Sequence, residues 1–196
     1  MSKNLERRAF AFDLSVEERG DGKKMIRGHA AVFNKLSENL GGFREQIAPG
    51  AFDDVLNDDV RALINHDGNL ILGRTVSGTL RINQDANGLS YELDPPDTQY
   101  ARDLLVSLLR GDITQSSFAF TVDEEDWDED GDGRVIRTIQ KVKRLYDVSP
   151  VTYPAYPDAT VGLRSMETWQ SVRNKRLCNR ASVSMLRRRL TLAQSL

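Results

Sequence analysis

Along the first 150 residues, turn-forming clusters recur so closely that few segments between them are long enough for a helix. RGDGKK at 19–24, the Gly pair and Pro-Gly of LSENLGGFREQIAPG at 36–50, and Ala86, Asn87 and Gly88 cut the chain into pieces of strand length. ERRAFAFDLSVEE alternates in places and lies across RGDGKK from MIRGHAAVFN, so the two are expected to form a hairpin. A strand follows at VRALINHD. GTLRINQD and GLSYELDPP, separated by 86–88, predict a further hairpin. ITQSSFAFTVDEE and, past an acidic turn, RVIRTIQKVKRLYDVSPVTYP supply one strand and then one or two more, rich in β-branched residues. Helical periods are few. AFDDVLND puts Phe52, Val55 and Leu56 on one side. TQYARDLLVSLLRGD has apolar residues at 101, 104, 105, 108 and 109, with Asp97 or Thr98 as N-cap and Gly111 just past the end. Many short strands with one or two helices predict a mainly-β α+β fold, a barrel or a sandwich decorated by helices. No internal repeat interrupts this pattern.

The 196 residues suffice for one real core, or for a domain with an appendage. Charge points to the second arrangement. The net charge is −2, but residues 164–196 carry eight Lys or Arg and one acid, leaving the preceding part at −9. That shift predicts a boundary at 163/164, with a main domain over 1–163 and a basic tail over 164–196. Within the tail, Val183, Leu186, Leu190 and Ala193 are spaced for an amphipathic helix carrying Arg187, Arg188 and Arg189. No apolar run is long enough to span a bilayer, and MSKNLERRAF lacks the apolar core of a secretory signal. The chain is therefore expected to begin here and to act in the cytoplasm. A single cysteine, Cys178, agrees, because an isolated thiol builds no disulfide framework.

The residue inventory narrows the chemistry. One Cys and two distant His give no zinc spacing, and HExxH, CxxC, P-loop and GxGxxG motifs do not occur, so neither a metal nor a nucleotide cofactor is expected. Asp126, Asp128, Asp130 and Gly131 match the first half of a calcium loop. The twelfth position, however, is Arg137 where a bidentate Glu is needed, so DEEDWDEDGDGR reads better as a charged hairpin tip. The acidic main part argues against nucleic acid as a specific partner of the basic tail.

A serine hydroxyl is a poor nucleophile until a base removes its proton, and the base needs an orienting partner. Three positions at strand ends answer that search. His66 in ALINHDGNLILGR stands where an apolar strand meets a turn, whereas His29 in RGHAAVF reads as a strand residue. Ser116 and Ser117 are adjacent in ITQSSFAF. Asp147 interrupts the β-forming RLYDVSPVTYP, where Asp is disfavoured without a partner. Strand alternation puts Ser116 with Phe118 and Phe120, and Ser117 with Ala119 and Thr121. With the phenylalanines in the core, Ser117 faces the open side.

Taken in order, RGHAAVFN, IAPGAFDDVL, VRALINHDGNLILGR, LLRGDITQSSFAF and LYDVSPVTYPAYPDATVGLRS make the chain, over roughly residues 8 to 165, resemble the tailed-phage prohead maturation proteases. These are serine proteases similar to herpesvirus assemblin. The resemblance implies an assemblin-like β-barrel flanked by a few helices. It puts the nucleophile on Ser117, the histidine on His66 of the NHD triplet, and the third member on Asp147, where relatives often carry Glu. It further implies an endopeptidase, with no cofactor, acting inside the immature capsid of an infected host. Its substrates would be the scaffolding domain of the major capsid protein, or a scaffolding protein, and its own chain, including the basic tail. A homodimer is the oligomer the resemblance implies. The order His, Ser, acid differs from those of the commonest serine hydrolase folds, and no GxSxG elbow is present. A non-catalytic capsid-assembly module of the same fold is the alternative.

Overall fold

The computed structural model describes residues 4–10, 14–20, 22–153 and 161–175. The chain divides into two compact units, Met1–Ala159 and Thr160–Leu196. In the first, β1 (Glu6–Phe10), β4 (Phe43–Ile47), β5 (Arg61–Ile64), β6 (Asp67–Arg74), β9 (Gln115–Glu129) and β10 (Val135–Val151) build a six-stranded sheet. A second, four-stranded sheet has the order β2 (Ser15–Glu18), β3 (Lys24–Val32), β8 (Gly88–Leu93), β7 (Leu80–Gln84). One α-helix, α1 (Gln99–Arg110), connects β8 to β9. In the second unit, residues 161–175 are helical, α2. Tail positions Cys178, Val183, Leu186, Arg187, Arg188, Arg189, Leu190 and Ala193 lie outside the described residues.

The long hairpin of β9 and β10 organises the first sheet. β10 is a single strand of 17 residues, paired antiparallel with β9 along its length. Its other edge is shared by two short parallel partners, β4 against Val135–Ile139 and β5 against Asp147 and Val148. Between them the edge is not left bare: the Ala48 N–H donates to Ile139 O, Val142 N–H to Ala51 O, and Leu145 N–H to the Asp58 carboxylate. Buried backbone groups need such partners. The segment doing this carries Phe52 and Val55 inward, but the helical period of AFDDVLND yields only a 3-10 turn, Asp53–Val55.

The core draws on both sheets: Phe118 and Phe120 from β9, Val148 from β10, Ile26 from β3, Leu89, Tyr91 and Leu93 from β8, closed by Ala101 and Leu104 of α1. Phe118 stacks on Phe120 at 4.5 Å and meets Phe52 edge-on at 5.7 Å. Helix α1 ends where expected. Gly111 takes φ 79, and its N–H and that of Asp112 cap the Leu108 and Ser107 carbonyls. Thr98 is the N-cap by backbone conformation only, making no side-chain capping bond. The hairpin of β7 and β8 forms as the turn signal predicts. Gly88 there lies so close to β3 that a Cβ would fall 2.0 Å from Ala31 O.

Two expectations need correction. Among the described residues the strands do not close into an assemblin-like barrel: the first sheet ends at β1 and β6, the second at β2 and β7. Closure requires every edge to find a partner at a consistent stagger. Here the outer edge of β10 is divided between two short strands and a bridging turn, and the chain leaves β6 for the other sheet. The opening hairpin is also only half formed. β2 pairs with β3, but β1 crosses to the first sheet and pairs with β9, setting Ala9 against Ser117.

That crossing is fastened by buried charge. Arg137 reaches Glu6 and Glu45 at 2.7 Å each, Arg8 reaches Glu45 at 2.7 Å and Glu6 at 2.6 Å, and Glu125 completes the cluster on Arg137. Burial pushes the Arg137 guanidinium down, but its hydrogen bond to Glu6 and the charges of Glu45, Glu6 and Glu125 outweigh this and raise it. The residue at the twelfth position of the calcium-like stretch is thus a structural cation. Asp126 accepts from Gln140, and Asp130 caps the β9–β10 turn through the Asp132 and Arg134 N–H groups. No cluster of three metal-ligating groups occurs among the described residues.

Candidate active site

His66 reaches the site from a turn of unusual backbone. β5 and β6 pair at Ile64 and Asp67, leaving Asn65 and His66 as a two-residue loop with φ of 53 and 59. Both are in the left-handed region, as the type I′ hairpin turn requires, a conformation that Asn and His adopt more readily than most residues with a side chain. Bonds to the end of β10 hold it. The Asn65 N–H donates to Pro150 O at 3.1 Å, and Asn65 Oδ1 accepts from the Thr152 N–H and hydroxyl, both at 2.9 Å.

The imidazole is thereby set against one face of the long hairpin, bonded to a residue on each of its strands. His66 Nε2 lies 2.7 Å from Ser117 Oγ, and His66 Nδ1 lies 2.5 Å from Asp147 Oδ1. A carboxylate only accepts, so Nδ1 carries the proton and Nε2 of the neutral ring offers its lone pair to the serine hydroxyl. All three sequence candidates converge. His29 does not: it sits in β3 and bonds Asp85 at 2.8 Å. Ser116 points the other way, into the core, where its hydroxyl meets the buried Tyr91 hydroxyl at 2.7 Å. Burial, only partly offset by that bond, raises the Tyr91 phenol above its usual range.

Asp147 arrives on the Ser117 face through a bulge. Leu145 pairs with Phe120, but Asp147 pairs with Ala119, leaving Tyr146 without a partner residue on β9. Strict alternation would put Asp147 on the same face as Leu145, in the core; the extra residue turns it over. Ser149 was not singled out from the sequence. It stands directly across from Ser117, is fully buried, and donates to Asp147 Oδ1 at 2.8 Å with His66 Nδ1 at 3.4 Å. Its spacing of two from Asp147 in DVSPV is the signal that would have found it. The site is shielded: Ser117 is 0% exposed, while His66 and Asp147 keep 6% and 10% of their side chains open.

This arrangement can move a proton from a hydroxyl to an imidazole whose far side is held by a carboxylate, as serine acyl transfer needs. Among solved structures, the chain is similar to the bacteriophage T4 capsid assembly protease, gp21, at 11% identity and TM-score 0.48, covering 76% of this chain and 97% of that one. No curated protein matches it. The family model described as Caudovirus prohead serine protease matches residues 11–172. The match spans most of the sequence, and the chain belongs to that family of serine proteases.

Proposed function

We propose that the protein is a capsid-maturation endopeptidase with Ser117 as nucleophile, His66 as general base and then acid, and Asp147 as the group that orients the imidazole. The observation that carries this reading is the two-sided engagement of His66, with the serine hydroxyl on Nε2 and the carboxylate on Nδ1. Ser117 Oγ attacks the scissile carbonyl as His66 takes its proton. The imidazolium then protonates the leaving amine, and a water repeats the cycle on the acyl-enzyme. Backbone N–H groups stabilise the oxyanion. The substrates are the scaffolding domain of the major capsid protein or a scaffolding protein, together with the protein's own chain, and the setting is the interior of the immature capsid. On this reading residues 1–163 are the protease domain, and the basic segment 164–196 is a scaffold-contacting tail removed by self-cleavage. The working form is a homodimer.

Co-expression with the coat and scaffolding proteins tests this. Wild type is expected to cleave, and Ser117→Ala and His66→Ala to abolish cleavage, since loss of a triad nucleophile lowers turnover by about 10⁶. Undiminished cleavage by either variant would sink the assignment. A second reading, a non-catalytic assembly module of the same family, is favoured by one observation, the complete burial of Ser117. The same experiment separates them, because a module assembles capsids equally well with either variant.

A further inference from the structure

We infer that Ser149 is a positioning residue for the reaction, acting on His66 through Asp147; this rests on the triad reading above. Asp147 is held at two points on one oxygen. Oδ1 accepts from His66 Nδ1 at 2.5 Å and from Ser149 Oγ at 2.8 Å. Aspartate has one methylene fewer than glutamate, so a carboxylate that must reach an imidazole from a strand depends on what fixes its χ1 and χ2. The Ser149 hydroxyl supplies that constraint from the same face two residues on. With its proton committed to Asp147, its oxygen lone pairs lie 3.4 Å from His66 Nδ1, so the ring N–H faces two oxygens and no donor. Both features favour the tautomer that leaves Nε2 free for Ser117.

Among the described residues, the neighbouring charged side chains bond elsewhere. Arg61, in register with Asp147, turns to Asp59, and Asp67 bonds Asn69. Ser149 is fully buried, so its hydroxyl is not solvating itself at the surface. Its place across from Ser117 sets it beside the hydroxyl it serves, yet on the Nδ1 side of the ring, which separates its role from that of a second nucleophile.

The test uses the full chain as wild type, Ser149→Ala, Ser149→Thr and Ser117→Ala. Two quantities are followed: phosphonylation by a fluorophosphonate, resolved into kinact and KI, and the downfield proton resonance of the His66 Nδ1–H. Ser149→Ala is expected to lower kinact about tenfold, equivalent to about 1.4 kcal/mol of barrier, with KI unchanged and the resonance displaced. Ser149→Thr, which keeps the hydroxyl, is expected to restore both. A wild-type kinact and resonance in Ser149→Ala would overturn the inference, as would equal losses in Ser149→Thr and Ser149→Ala. The resonance reads the positioning even where the shielded serine reacts slowly. Labelling that persists in Ser117→Ala, or that maps to Ser149, would overturn the triad reading itself. Full loss in Ser117→Ala with no effect in Ser149→Ala would overturn only the role of Ser149.

Discussion

Two adjacent hydroxyls, Ser116 and Ser117, have opposite fates because consecutive strand residues face opposite sides. Ser116 is part of the core, so its replacement is a stability experiment rather than a catalytic one. Ser116→Ala leaves the buried Tyr91 hydroxyl without its partner and is expected to cost about 1 to 3 kcal/mol, read as a lower melting temperature. Proteolysis measured well below that temperature should stay close to wild type. A loss comparable to that of Ser117→Ala would reverse the two assignments. Asn65 makes the complementary case. Its side-chain oxygen bonds Thr152, and so fastens the turn that presents His66. Asn65→Ala removes both bonds from Thr152 and a residue suited to positive φ, so cleavage is expected to fall by about tenfold or more. Asn65→Gly, which relaxes the backbone but also lacks the carbonyl, should recover little of it. Recovery to wild type would mean that conformation alone holds the turn.

Among the elements, the β9–β10 hairpin does most to place the site, and what makes it reliable is charge buried at one end. Glu45→Ala would strip Arg8 and Arg137 of a shared carboxylate and is expected to cost about 3 to 5 kcal/mol, detectable by denaturant unfolding. A cost below about 1 kcal/mol would mean that water replaces the carboxylate. This network also shows where sequence reasoning stops. The helix 99–110, the hairpin of β7 and β8, and the inward face of Phe118 and Phe120 were legible, because each is written in a local period or a turn signal. The bulge at Tyr146 was not: Leu145, Asp147 and Ser149 are spaced for one face, and only the register against β9 separates Leu145 from the other two. Likewise nothing local distinguishes Arg137 from the surface arginines around it, since its three carboxylates come from positions as distant as Glu6. The parallel partners β4 and β5 are not legible as such, because 36–50 carries loop signals and the pattern of a short strand does not name its neighbour.

For the whole molecule, surface ion pairs set the response to acid. Hydrogen bonding and charge from Arg74, with Arg61, hold Asp59 below its usual 3.8, at about 2. Glu92 is lowered chiefly by its bond to Arg27, and Asp94 by its bond to Arg81. A carboxylate depressed in the folded state contributes stability above its unfolded value and loses it as pH falls through the folded one. The melting temperature is therefore expected to hold steady above about pH 5 and to fall between about pH 4 and pH 2. Asp59→Asn should flatten part of that fall, and an unchanged acid profile would show that its pair with Arg74 is screened. The site itself was legible as three residues but not as a topology. His66 belongs to a hairpin completed 41 residues before the strand of Ser117 begins at Gln115, and it meets its partners only when β5 docks parallel to β10. That separation has a consequence during synthesis. The chain leaves the ribosome with His66 first, and the turn that aims it has nothing to fasten to until Pro150 and Thr152 have emerged. On the proposed assignment, a nascent chain thus holds a base without a nucleophile, then a nucleophile without a seated base. The three side chains can meet only once the last long strand is in place.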